Sequence, residues 1–190
     1  GVPPKSKGDY AFVLHMLHSL AEGGRMGVVL PHGVLFRGAS EGKIRKKIID
    51  MNLLDAVMGL PANLFFGTGI PACILVFKQN RNRKDILFID ASGDDYYEKG
   101  KNQNKLREED IQRIVDAYEN YEDVEKFAYV ASLDEVKEND YNLNIPRYVD
   151  TFEEEELVDM EEVAKNIASI KKELVEIEAQ MANYLEKLGL

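Results

Sequence analysis

The chain has 190 residues, 45% hydrophobic and 31% charged, with a formal net charge of −10; this globular composition excludes wholesale disorder and leaves room for one domain with an appendage or two very small ones. The single cysteine, Cys73, excludes an intramolecular disulfide framework and fits a reducing compartment. No apolar run reaches the roughly 20 residues that span a bilayer, and Gly1-Val-Pro-Pro-Lys-Ser-Lys7 holds no apolar signal core, so a cytoplasmic protein without membrane contact is expected.

Asp9 is an N-cap residue type, and Phe12, Val13, Leu17 and Leu20 follow with helical spacing until Gly23-Gly24, which is expected to end the helix. Met26 to Leu30, closed by Pro31, predicts a buried strand. Ser40 is placed to cap a basic helix with Ile44, Ile48 and Ile49 on one face and Lys43, Arg45, Lys46 and Lys47 around the rest. Residues 53–60 predict a second strand, 63–71 a loop, 72–77 a third strand, 78–84 a basic turn and 86–89 a fourth strand. That order predicts an α/β fold, and the short last turn predicts an antiparallel hairpin at one sheet edge.

From Ala91 the texture becomes polar. Residues 94–105 read as a mobile loop, 107–121 as a helix with Ile111, Ile114, Val115 and Tyr118 inward, 134–139 as a short helix, and 141–148 as extended, because Pro146 disfavours helix before it. After an acidic linker at 153–156, Val163, Ile167, Ile170, Leu174, Ile177, Met181, Tyr184 and Leu188 recur with alternating spacings of 4 and 3. This is a heptad seam over 161–188, a coiled-coil-like helix about 40 Å long that calls for a partner helix. Three regions are therefore expected: 1–91, 92–152 and 153–190. Charge divides along the chain too. Residues 1–84 carry 12 Lys and Arg against 5 Asp and Glu, and residues 85–190 carry 12 against 29. The basic half is suited to phosphates and the acidic half is repelled by them.

A self-contained active site is not legible. His15 and His18 lie three apart on a predicted helix without further converging ligands, so no metal site is expected. Cys73 falls on a buried strand, where a thiol is inert. There is neither a Gly-x-x-x-x-Gly-Lys-Ser/Thr phosphate loop nor a glycine-rich dinucleotide turn. The best candidate is Leu64-Phe65-Phe66-Gly67-Thr68-Gly69-Ile70-Pro71. Two adjacent aromatics cannot both enter one buried face, so one is expected to be exposed or to line a pocket, beside glycines that allow close backbone approach. An exposed ring next to basic helices suits stacking on an unstacked base.

Three blocks, Gly8-Asp-Tyr-Ala-Phe-Val-Leu-His15, Gly23-Gly-Arg-Met-Gly-Val-Val-Leu-Pro-His-Gly-Val-Leu-Phe36 and Leu60-Pro-Ala-Asn-Leu-Phe-Phe-Gly-Thr-Gly-Ile-Pro-Ala-Cys73, resemble the modification subunit of type I restriction-modification systems, and the likeness continues through Gly100 to Leu106 and Tyr141 to Tyr148. The resemblance implies the C-terminal part of an adenine-N6 DNA methyltransferase with a Rossmann-like sheet that uses S-adenosylmethionine, in a bacterium or archaeon. The family's methyl-donor loop and its Asn-Pro-Pro-Phe/Tyr motif are expected upstream. The chain holds no Asn-Pro-Pro, so no catalytic residue is assigned to it and it is expected to be inactive alone. By the same resemblance Phe65, with Phe66 as runner-up, packs on the target adenine in a pocket that includes Gly67, Thr68 and Gly69, and Arg37, Lys43, Lys46 and Lys47 contact DNA phosphates. Implied partners are DNA, a specificity subunit and a restriction subunit. Self-association is expected through residues 161–188 or a strand edge left open at Met26 to Leu30. The alternative is a non-catalytic α/β interaction module with a coiled-coil tail, which accounts for the heptads but not for the Phe-Phe-Gly-Thr-Gly loop.

Overall fold

Helix α1 (Asp9–Ser19) leads through a turn into strand β1 (Arg25–Pro31); α2 (Gly33–Phe36) and α3 (Ala39–Asp50) follow, then strands β2 (Leu54–Gly59), β3 (Ala72–Lys78) and β4 (Ile86–Asp90). Helix α4 (Glu108–Asn120), strand β5 (Ala128–Ala131) and helix α5 (Leu133–Glu138) come next, and α6 (Met160–Leu188) is last. The computed structural model describes residues 1–151 and 160–188. The chain divides into two units, Gly1–Phe152 and Glu153–Leu190. The acidic linker at 153–156 lies outside the described residues. Among those described, no helix is long and apolar enough to cross a membrane.

The five strands form one sheet in the order β1-β3-β2-β4-β5. β3 runs antiparallel to both β1 and β2, β2 and β4 are parallel, and β5 is antiparallel to β4. The burial of each strand follows its place. β2 and β4, which have neighbours on both sides and cover on both faces, are buried at every residue, as their unbroken apolar runs require. β1, at the edge, alternates: Met26, Val28 and Leu30 turn toward the core, and Arg25, Gly27 and Val29 are exposed. Its outer edge carries no strand among the described residues, in line with the edge expected for residues 26–30. One face of the sheet packs on Val13, Ile44 and Ile48 of α1 and α3, the other on Ile114 and Ala117 of α4.

The hairpin expected between β3 and β4 does not form, because β2 lies between them. The turn between them is not a free basic loop. Arg81, buried, donates to Asp55 Oδ1 at 2.7 Å and to the backbone carbonyls of Leu54 and Asp85, so the chain is tied down at the start of β2 and crosses to its far side. Three expected helix ends also differ. The residues before α1 and α3 are Gly8 and Gly38, neither with a side-chain cap. Asp9 lies in the first turn of α1, where it pairs with Arg37, and Ser40 lies inside α3. α1 stops at Ser19, before the glycine pair. Phe12 is 70% exposed on α1. Of the α4 residues expected inward, Ile114 is buried, Tyr118 is half-buried, and Ile111 and Val115 are exposed. Residues Ile145–Arg147, expected extended, form a single 3₁₀ turn.

Candidate nucleic-acid interface

Residues 60–71 leave β2 at its carboxyl end and enter β3 where Ala72 pairs with Pro31, the last residue of β1. The loop therefore lies at the carboxyl ends of parallel strands, where open α/β sheets hold their ligands. Phe65 and Thr68 form an isolated bridge around Phe66-Gly67, and Gly67 has φ +74°, a conformation cheap only for glycine. The bridge turns Phe66 outward, 86% exposed, and leaves Phe65 46% exposed on the wall of a hollow. That hollow has a volume of 240 Å³ and is lined by Val29, Leu30, Pro31, Phe65, Thr68 and Ile70, among others. Thr68 Oγ1 accepts from the Ile70 N–H at 3.2 Å, Gly69 lies against the Asn63 amide, and His32 bridges to the Ala72 carbonyl at 2.9 Å. An aromatic side chain lining an apolar hollow with one hydroxyl suits a flat heteroaromatic guest.

The predicted cations are not gathered at this loop. Arg37 donates to Glu41 at 2.5 Å and to Asp9, so its guanidinium is already shared between two carboxylates; the Glu41 hydrogen bond is the main reason its pKa is raised. Lys46 lies 4.3 Å from the centre of the Tyr141 ring and donates to its hydroxyl at 3.3 Å. Lys43 is exposed on α3. Lys47 lines a second hollow, of 580 Å³, with Leu17, Met51, Leu53 and Gln79 at the opposite end of the strands. Cys73 is buried, and burial pushes its thiol up to about 12, so it is protonated and inert. Among the described residues no three of His, Cys, Asp and Glu form a candidate cation site. Sequence reasoning missed how residues 94–105 are held. Read as a mobile loop, they return to the candidate site through hydrogen bonds from Gln103 and Asn104 to residues 62–64.

The family model described as N-6 DNA Methylase matches residues 1–157. The chain belongs to this family. The chain is 38% identical over 98% of its length to the type I restriction enzyme MjaVII methylase subunit of Methanocaldococcus jannaschii, covering 33% of that relative. It is 35% identical over 97% of its length to the MpnII methylase subunit of Mycoplasma pneumoniae, covering 34% of it. The crystal structure of the type I restriction-modification methyltransferase subunit from Streptococcus thermophilus superposes with a TM-score of 0.77 at 53% identity, over 80% of this chain and 32% of that one. The chain thus spans about a third of the length of these relatives. An interaction module unrelated to DNA is not favoured.

The hollow beside Phe65 and the nearby end of β4 do not by themselves fit S-adenosylmethionine. The hollow beside Phe65 presents Thr68 and otherwise apolar side chains, with no carboxylate for ribose hydroxyls. Asp90, at the carboxyl end of β4, already accepts from the Ser92 N–H at 3.0 Å and the Ser92 hydroxyl at 2.6 Å.

Proposed function

We propose that this chain is part of a type I restriction-modification methyltransferase subunit that moves a methyl group from S-adenosylmethionine to adenine N6 in DNA, and that residues 60–71 form one wall of its target-base cleft. The observation that carries the proposal is the pairing of two facts. Relatives matched over nearly the whole chain are named type I methylase subunits, and the loop matched in them sets an exposed phenylalanine over a hollow at the carboxyl end of the sheet.

In this proposal Phe65 stacks on the extruded adenine, Phe66 flanks it, Gly67 shapes the turn, and Thr68 and Gly69 complete the rim. The methyl donor and the asparagine amide that orients adenine N6 belong to the whole subunit, outside these residues, so the isolated chain does not methylate. Lys43 and Lys47 are the freest of the predicted phosphate contacts; Arg37 and Lys46 reach a phosphate only by sharing partners they already hold. Seam residues of α6 such as Ile170, Leu174 and Ile177 are exposed along a 29-residue helix, which supports docking on the helices of a specificity subunit or on a second copy. The outer edge of β1 offers another route to self-association. A restriction subunit completes the proposed complex.

The test is methyl transfer from labelled S-adenosylmethionine to duplex DNA by the whole subunit with its specificity subunit. Label is expected in N6-methyladenine, with none transferred by the 190-residue chain alone. Phe65→Ala is expected to lower kcat/KM about 10- to 100-fold, the usual worth of base–aromatic stacking, and Phe65→Tyr to retain most of it. Adenine methylation indifferent to Phe65→Ala would contradict the assignment of the cleft, and no adenine methylation by the whole complex would contradict the function.

A further inference from the structure

Residues 60–71 have little of their own to hold them. Their internal ties are the Phe65–Thr68 bridge and the Thr68 hydroxyl contact, and residues 65–70 are exposed throughout. A ring that must meet a flat base face-on needs firmer placement than that, because small errors of position cost much of the advantage of a preformed site.

The firmer placement comes from about 40 residues downstream. The Asn104 backbone N–H donates to the Asn63 carbonyl at 2.8 Å, Asn104 Nδ2 donates to the Ala62 carbonyl at 2.9 Å, and Gln103 Nε2 donates to the Leu64 carbonyl at 3.1 Å. Three consecutive carbonyls, those immediately before Phe65, are thus taken by two residues. The segment that presents them is itself closed: Glu98 and Lys105 exchange both backbone hydrogen bonds, at 2.9 and 3.0 Å. Its turn requires glycine at position 100, where a Cβ would fall 2.1 Å from the Gln103 carbonyl oxygen. Arg107, at the start of α4, donates to the Asp95 carbonyl at 3.0 Å and fixes the near end. A continuous chain of bonds therefore runs from the amino end of α4 through residues 98–105 to the backbone that carries Phe65.

We infer that residues 98–105 are a clamp on the target-base loop and that Gln103 and Asn104 are positioning residues for Phe65. This rests on the target-base reading above, and its test separates the two. Gln103→Glu and Asn104→Asp keep the shape of each side chain and remove the donor. In the 190-residue chain the double variant exchanges the amide hydrogens of residues 65–68 about tenfold faster than the unaltered chain, as expected for two lost hydrogen bonds. Exchange in β3 stays as it was, which shows that the sheet is intact, and Asn102→Ala, on the exposed side of the same turn, exchanges as the unaltered chain. In the whole subunit with its specificity subunit, the double variant lowers kcat about tenfold and leaves KM for S-adenosylmethionine unchanged. Exchange of residues 65–68 equal to that of the unaltered chain would overturn the clamp. Faster exchange with unchanged kcat would overturn the positioning role. An unaltered subunit that transfers no methyl to adenine would remove the target-base reading while the exchange comparison still decides the clamp.

Discussion

Arg81 shows what a charge run conceals. In the sequence it is one of Lys78, Arg81, Arg83 and Lys84, a solvated turn by composition. In the fold its side chain is 1% exposed; it pairs with Asp55, donates to Asn52 Oδ1 at 3.0 Å and meets the Tyr121 hydroxyl at 3.1 Å, and Tyr118 donates to the other Asp55 oxygen at 2.6 Å. Which cation of a run turns inward depends on a carboxylate 26 residues away, and no local pattern carries that. Arg81→Met leaves Asp55 buried without its cation and is expected to cost about 3–5 kcal/mol, seen as a lower urea midpoint for the unit Gly1–Phe152. Loss of less than about 1 kcal/mol would mean that Tyr118 and water satisfy Asp55 without help. Phe65 and Phe66 were legible for the opposite reason. Adjacent aromatics beside glycines force one ring outward whatever the rest of the fold does, and the bridge at Phe65–Thr68 realises that local constraint. Gln103 and Asn104 were not legible, since amides in a polar run look alike whether they face water or a carbonyl 40 residues away.

Among the elements, those with strong local signals were found and those defined by distant partners were missed. The strand runs 53–60 and 72–77 announce themselves by apolar character, but their neighbours in the sheet do not, and so a short turn suggested a hairpin that β2 prevents. β5 is four residues long and was not expected at all; it exists because β4 offers it an edge. α4 was expected almost to its ends; its amino end is built locally, whereas its carboxyl end is also tied to a distant strand. Asp110 accepts from the Arg107 backbone N–H and guanidinium at 2.8 to 2.9 Å, closing a capping box, and Tyr121 ends the helix at φ +54°, held there by its hydroxyl. The Arg107 hydrogen bond holds the Asp110 carboxyl below its usual range. A depressed carboxylate adds stability that is complete above the unfolded value, about pH 4, and is lost as pH falls through the lower, folded value. Asp110→Asn is therefore expected to cost about 1 kcal/mol at pH 7, and its difference from the unaltered chain in urea unfolding is expected to shrink below pH 4. A difference that holds constant down to pH 2 would contradict the ionic part of the cap.

For the whole molecule, the globular composition argued against wholesale disorder and the single cysteine against an intramolecular disulfide, and the run of elements predicted an α/β sheet; the five-stranded sheet and its likeness to a type I methyltransferase structure agree. The candidate site was legible only as a loop. Its hollow is assembled from β1, the loop and the start of β3, and its backbone is held by residues 98–105, relations that a linear pattern does not contain. The proposed activity also depends on a methyl-donor site and on an Asn-Pro-Pro motif, which this sequence does not hold. The most direct measurement is therefore the nucleotide sequence of the coding DNA immediately upstream of Gly1. An in-frame Asn-Pro-Pro-Phe or Asn-Pro-Pro-Tyr, preceded by a glycine-rich loop, is the predicted result and would supply the catalytic half of the proposed cleft. A start codon directly before Gly1, with neither motif, would contradict it and leave a methylase-family chain without the means to methylate.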